Sequence, residues 1–248
     1  MDEFILILWA RLVGGFAQAP PLQPSPLELG LALVAAALLV VPNVIWQTTG
    51  VFVTVVHELG HAAAATLTGR FVTGIKIRLN QSGETLSYGR TEGPGVAWAI
   101  FWGYPVPALV GSGLLWAALA GWAPFTLSLG TLILIGSIAA IRNWAGLVIT
   151  LGSAGVAGLL LWLGTADALG HFTLALGLAL LAGAARAWLN LVQIHSSRPD
   201  ELETSDANIL GRSTGTPDGL WLGLFAVVIA GAWLFGGLTL AASILPHR

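Results

Sequence analysis

Long apolar runs separated by short polar segments dominate the chain. The hydrocarbon core of a bilayer is about 30 Å thick, so a helix that crosses it needs roughly 20 mainly apolar residues. Segments close to this length predict seven transmembrane helices, at 28–42, 44–67, 95–121, 125–141, 144–164, 168–192 and 218–244.

The first 27 residues form a different kind of segment. An apolar stretch at 4–10 follows Asp2 and Glu3, where a cleaved signal peptide carries positive charge. The proline-rich sequence APPLQPSP at 19–26 comes next, and prolines remove helical hydrogen bonds. We therefore predict an interfacial segment and linker over residues 1–27 and a single transmembrane domain over residues 28–248.

Between the second and third predicted spans the pattern changes to one typical of strands. Apolar and polar residues alternate over 75–80, Gln81, Ser82 and Gly83 can form a turn, and 84–90 can return as a second strand. This pattern predicts a β-hairpin over about residues 72–90, on the cytoplasmic side. The predicted fold class is an all-α polytopic membrane protein with this small hairpin.

Composition indicates the same environment and limits the partners. Of 248 residues, 56% are hydrophobic and 9% are charged, against roughly 25% charged in a soluble domain. The lipid bilayer is therefore the expected surrounding. The chain has no cysteine, so His, Asp and Glu are the available strong metal ligands. A net charge of -2 without charged blocks argues against a nucleic-acid partner.

Basic residues predict the orientation of this multi-pass chain. When the loops between the predicted spans are assigned alternately to the two sides of the membrane, one side receives only Arg248. The other side receives the remaining basic loop residues, and under the positive-inside rule it is cytoplasmic. The protein is thus expected in the cell membrane, with its N-terminus in the cytoplasm. The residues on the cytoplasmic side are Arg11, Arg70, Lys76, Arg78, Arg90, Arg142, Arg198 and Arg212.

The sequence HELGH at 57–61 places ionisable residues inside the second predicted span. Ionisable residues at membrane depth are costly and indicate a functional site. His57 and His61 are four residues apart, so both imidazoles lie on one helix face and can reach one zinc ion. Glu58 lies roughly 100° round the helix, where it can act as the general base of a metalloprotease. The alternative is a polar cluster that only joins helices.

Three stretches resemble the intramembrane zinc metalloproteases of the site-2 protease type, in the M50B-like branch. They are HELGHAAAATLTGR at 57–70, GYPVPALVGSGLL at 103–115 and LNLVQIHSSRPDELETSDANIL at 189–210. The resemblance implies a zinc endopeptidase that hydrolyses membrane-protein substrates within or near the bilayer. It also implies that Asp206 is the third zinc ligand and that the hairpin borders the active site, where a strand edge can pair with substrate.

Other assignments remain open from the residues alone. Asp218, Glu201 and Glu203 are alternative third ligands, although an acidic residue at a helix start, such as Asp218, is also favoured by the helix dipole. A zinc-binding membrane chaperone or regulator without proteolytic activity is the alternative function. A metal transporter is a third class, and it would need further intramembrane carboxylates or histidines that the predicted spans mostly lack.

Overall fold

A computed structural model describes Leu6, Trp9 and residues 13–244, and these residues are mostly helical. The apolar stretch at 4–10 and the last four residues fall largely outside them. The elements are α1 (Pro26–Val40), α2 (Asn43–Leu67), β1 (Phe71–Ile77), β2 (Gly83–Tyr88), α3 (Pro94–Phe101), α4 (Pro105–Leu119), α5 (Ala123–Ser137), α6 (Trp144–Leu163), α7 (Ala166–Ser197), α8 (Pro199–Leu202), α9 (Asp206–Thr214) and α10 (Asp218–Ile244).

Four helices in the described part of the chain are long and apolar enough to cross a membrane: α2, α6, α7 and α10. The broken pair α3 and α4 makes a fifth candidate if it is counted as one span. The prediction of seven spans is not confirmed. Helices α1 and α5 have 15 residues each, which corresponds to about 22 Å, shorter than a bilayer core of about 30 Å. The chain is nonetheless an integral membrane protein.

Close backbone contact between α4 and α7 organises the core. A Cβ atom added at Gly111 would lie 2.8 Å from the carbonyl oxygen of Gly177, and one at Gly177 would lie 2.7 Å from that of Gly111. Small residues allow such approach between membrane helices. Helix α10 packs against the same pair, with Gly236 facing Leu115 and Leu181. Helices α4 and α7 also contact α2, which carries the polar residues.

The predicted single helix over 95–121 is wrong, because the chain breaks between Phe101 and Pro105. Helices α3 and α4 meet at 55°. Proline suits the first turn of a helix, where its missing N–H costs nothing, and Pro105 starts α4. The break leaves Gly103 and Tyr104 outside both helices, next to the histidines of α2.

The predicted hairpin is present, and it lies against α2. Strands β1 and β2 pair antiparallel, with Ile75 opposite Thr85. The tip folds back along α2: Gln81 Nε2 donates to the Trp46 carbonyl over 2.7 Å, and Thr54 Oγ1 donates to the Gln81 carbonyl over 3.1 Å. The hairpin therefore lies against the helix that carries the histidines, because polar groups at its tip find partners there.

The two edges of the hairpin differ. On the outer edge of β1, Ile75 N–H donates to the Ala140 carbonyl over 2.8 Å, and Arg142 N–H donates to the Ile75 carbonyl over 2.9 Å. The Asn143 side chain then bonds both backbone groups of Ile77, at 3.0 and 2.7 Å. Within residues 13–244, no strand pairs with the outer edge of β2.

Candidate metal centre

His57 and His61 face the same space from one side of α2. Their Nε2 atoms lie 2.9 Å apart, and their rings meet edge to face with centroids 4.6 Å apart. The side chains are 17% and 13% exposed. The helical spacing of four residues therefore brings two imidazole nitrogens together in a nearly enclosed site, as the sequence predicts.

Asp206 reaches the same point from α9. Its Oδ2 atom lies 3.2 Å from the Nε2 atom of each histidine. Asp206 is the first residue of α9, and the side chain of Ser205 caps that helix by accepting from Asn208 N–H. The apolar side of α9 is buried through Ala207, Leu210 and their neighbours on α7 and α10. This packing fixes the start of α9 beside the histidines.

A hydrogen bond sets the tautomer of His61. Its Nδ1 atom lies 2.9 Å from the carbonyl oxygen of Ala99 on α3. A carbonyl oxygen only accepts hydrogen bonds, so Nδ1 must carry the proton. In a neutral imidazole, Nε2 then has a free lone pair, and this atom faces His57 and Asp206. Metal-binding histidines are commonly oriented in this way by a backbone carbonyl.

The three donor atoms fit zinc. They are separated by 2.9 to 3.2 Å, close to the roughly 3.3 Å between ligand atoms around a tetrahedral ion with bonds of about 2.0–2.1 Å. The Oδ2 atom of Asp206 is buried and accepts no hydrogen bond from the described residues. Two imidazoles and one carboxylate are a common donor set for catalytic zinc. His57, His61 and Asp206 can therefore hold one metal ion.

The histidines beside Asp206 favour its ionised form. Burial by itself raises the pKa of this carboxyl, but His61 and His57, when protonated, have the larger combined effect and hold the pKa below its ordinary value. The carboxylate is then ionised at neutral pH, which metal coordination requires.

Glu58 lies beside this group of three without belonging to it. The residue is 3% exposed, and its Oε2 atom accepts a hydrogen bond of 2.6 Å from Thr85 Oγ1 on β2. Gly83 touches the other carboxylate oxygen, because a Cβ atom added there would lie 2.1 Å from Oε1. Glu58 directly follows His57 in α2, and its carboxylate is enclosed by the hairpin.

The structure does not bring the three alternative acids to the histidines. Asp218 Oδ2 accepts a hydrogen bond of 2.9 Å from Asn208 Nδ2 and lies 3.6 Å from His195 Nδ1. Glu201 and Glu203 are exposed, and Glu201 lies 3.6 Å from Arg198. Of the acidic residues that we considered as third ligands, only Asp206 reaches the site.

Two residues of the helix break complete the wall of the site. A Cβ atom added at Gly103 would lie 2.4 Å from His61 Nε2 and 2.6 Å from His57 Nε2, so only glycine leaves this space open. The ring of Tyr104 meets that of His57 edge to face, with centroids 4.8 Å apart. The sequence analysis placed both residues within the predicted span 95–121 and gave them no role in the site, although a Gly-Tyr-Pro sequence inside an apolar run is itself a signal for a helix break.

A protein-family model described as Peptidase M50B-like matches residues 30–236. The matched region includes HELGH, the hairpin, the helix break and Asp206, so it contains every residue of the site described above. No curated protein and no solved structure matches the chain.

Proposed function

Because the chain belongs to the M50B-like peptidase family, we propose that it is a zinc-dependent endopeptidase that hydrolyses peptide bonds of membrane proteins within or near the bilayer. The observation that carries the proposal is the convergence of His57, His61 and Asp206 beside the buried carboxylate of Glu58. The proposal includes a location in the cell membrane, with the N-terminus in the cytoplasm as expected from the basic residues.

His57, His61 and Asp206 would hold the ion in this enzyme. Bound zinc would supply a Lewis acid that makes a water molecule acidic near neutral pH and polarises the carbonyl of the scissile bond. Glu58 accepts the proton that water loses as its oxygen bonds to the carbonyl carbon. The same carboxyl then gives that proton to the leaving amine when the carbon–nitrogen bond breaks. The net reaction adds one water molecule across one peptide bond.

The hairpin provides a route for presenting the substrate. A helix hides its peptide bonds in internal hydrogen bonds, so a membrane-spanning substrate must become extended before it is cleaved. Exposed strand edges bind extended peptides through main-chain hydrogen bonds. The outer edge of β1 is occupied by residues 140–143, whereas no strand of the described residues pairs with the outer edge of β2, which carries the two residues, Gly83 and Thr85, that contact Glu58. A substrate strand added to β2 would lie next to the general base.

Substitution of Glu58 by glutamine tests this function. Purified protein in detergent or liposomes is incubated with candidate single-span substrates, with and without a chelator, and products are identified by mass spectrometry. We expect Glu58→Gln to slow hydrolysis by at least about 100-fold with unchanged zinc content, because the base is removed and the ligands are kept. The matched control is Glu92→Gln at an exposed position, which should cleave normally.

The result also separates the alternative function. Equal cleavage by wild type and Glu58→Gln would contradict the assignment of Glu58. A wild-type protein that retains zinc but cleaves none of the substrates would instead support a zinc-binding membrane chaperone or regulator.

A further inference from the structure

The hydroxyl group of Thr85 links the hairpin to the carboxylate of Glu58. Oγ1 donates to Glu58 Oε2 over 2.6 Å and lies 3.1 Å from the backbone carbonyl oxygen of the same residue. Since Glu58 is 3% exposed, bulk water cannot freely replace this donor. A buried carboxylate depends strongly on the hydrogen bonds that it receives. Thr85 therefore fixes the position of one of the two carboxylate oxygens.

Strand β2 also restricts the second oxygen. A Cβ atom added at Gly83 would lie 2.1 Å from Glu58 Oε1. Gly83 and Thr85 are two residues apart, so they lie on the same face of the strand. Their partners on β1, Ile77 and Ile75, are buried against α2. The register of the hairpin on α2 thus decides where both oxygens of Glu58 can lie.

We propose that Thr85 is a positioning residue for the general base, and this inference rests on the proposed peptidase function. Its hydroxyl holds Oε2, which leaves lone pairs of the carboxylate free to accept the proton from the attacking water. The bond comes from β2, whose outer edge pairs with no strand among residues 13–244. A shift of β2 therefore moves the carboxylate as well, and the position of the hairpin and the orientation of the base are coupled.

Valine in place of Thr85 tests the role of the hydroxyl. Thr85→Val keeps the shape and the strand preference of the side chain and removes the donor, whereas Thr85→Ser keeps the donor. Thr73→Val is the matched control, because Thr73 is an exposed hairpin residue whose hydroxyl donates to the Leu86 carbonyl over 3.2 Å and not to Glu58. The measurements are kcat and KM for a cleaved single-span substrate, together with zinc content.

We expect Thr85→Val to lower kcat by about tenfold or more, within the roughly 100-fold that a misplaced catalytic group can cost. KM should change less than about twofold, because the lost interaction acts on the transition state. Zinc content should equal that of wild type, since no ligand is altered. Thr85→Ser and Thr73→Val should retain near-normal kcat. Thr85→Ala, with a smaller side chain and no hydroxyl, should reproduce the loss.

Each other outcome has a defined meaning. Wild-type kcat in Thr85→Val, with Glu58→Gln inactive, would overturn the positioning role and leave the peptidase assignment intact. Equal losses in Thr85→Val and Thr85→Ser would show that packing, and not the hydroxyl, matters. Absence of Glu58-dependent cleavage in the wild-type protein would overturn the proposed function and the positioning role together.

Discussion

Helix α9 takes part in two histidine–aspartate clusters that differ in how their polar atoms are used. In the first cluster, Asp206 meets His57 and His61, and three atoms with lone pairs approach one another within 3.2 Å. Asp206 Oδ2 is buried and has no donor among the described residues. Such an arrangement is unfavourable unless a metal ion, or a proton on one of the imidazole nitrogens, lies between these atoms.

In the second cluster, protein groups occupy the polar atoms. Asp218 Oδ2 accepts from Asn208 Nδ2 over 2.9 Å, and His195 Nε2 lies 2.9 Å from Ser205 Oγ. His195 Nδ1 is also 3.6 Å from Asp218. Histidine and aspartate occur in both clusters, yet in the second cluster Asn208 and Ser205 provide partners for them. The convergence of atoms with lone pairs, and not residue type alone, therefore favours the first cluster as the candidate metal centre.

Of the substitutions that distinguish the two clusters, removal of the Asp206 carboxylate should have the largest effect on zinc binding. We expect Asp206→Ala to lower zinc affinity by more than about 100-fold, the upper range for changes outside the ligand shell, and to abolish hydrolysis. Zinc content is measured after dialysis of purified protein against a mild chelator. Asp200→Ala, at an exposed position on α8, is the control and should retain zinc. Full retention by Asp206→Ala would exclude this residue as a ligand.

A methyl group at Gly103 should disturb the first cluster without removing a ligand. The added Cβ atom would lie 2.4 Å from His61 Nε2, so an imidazole or the backbone must move. A displacement of about 1 Å at a catalytic site can cost roughly 100-fold in activity, and we expect Gly103→Ala to reach that loss and to retain zinc poorly. Gly113→Ala is the control, since no atom lies within 4 Å of a Cβ there. Normal activity in both variants would contradict the close approach of Gly103 to the two histidines.

Local patterns predicted the elements that carry the site. Four-residue spacing placed His57 and His61 on one face, and α2 presents them so. Strict alternation predicted the hairpin, and β1 and β2 form it. The predicted final span, 218–244, coincides with α10. These features depend on hydrogen bonds and apolar periodicity within a few residues, which the sequence displays directly.

Contacts between distant segments were not predictable from these patterns. The break before Pro105 is accommodated by Gly60, because a Cβ atom there would lie 2.6 Å from the Trp102 carbonyl oxygen. The bond from Thr85 to Glu58 joins residues 27 positions apart. The hydropathy pattern likewise predicted spans at α1 and α5, because apolarity alone does not show whether the helix is long enough to cross a bilayer. Each of these features depends on what the fold places opposite a residue.

The second cluster should make a smaller contribution to zinc binding, through the position of α9. Asp218 Oδ2 holds Asn208, and a Cβ atom at Gly211 would lie 2.1 Å from Asp218 Oδ1, so this carboxylate contacts α9 at two points. Asp218→Ala frees both contacts, but Ser205 still caps the helix. We therefore expect zinc affinity to fall about tenfold, the lower end for residues that support ligands, and added zinc to restore hydrolysis.

Asp167→Ala is the control, because it removes another acid from a helix start, with its side chain 78% exposed. A loss as large as that of Asp206→Ala would make Asp218 part of the metal centre, and wild-type affinity would show that α9 keeps its position without it.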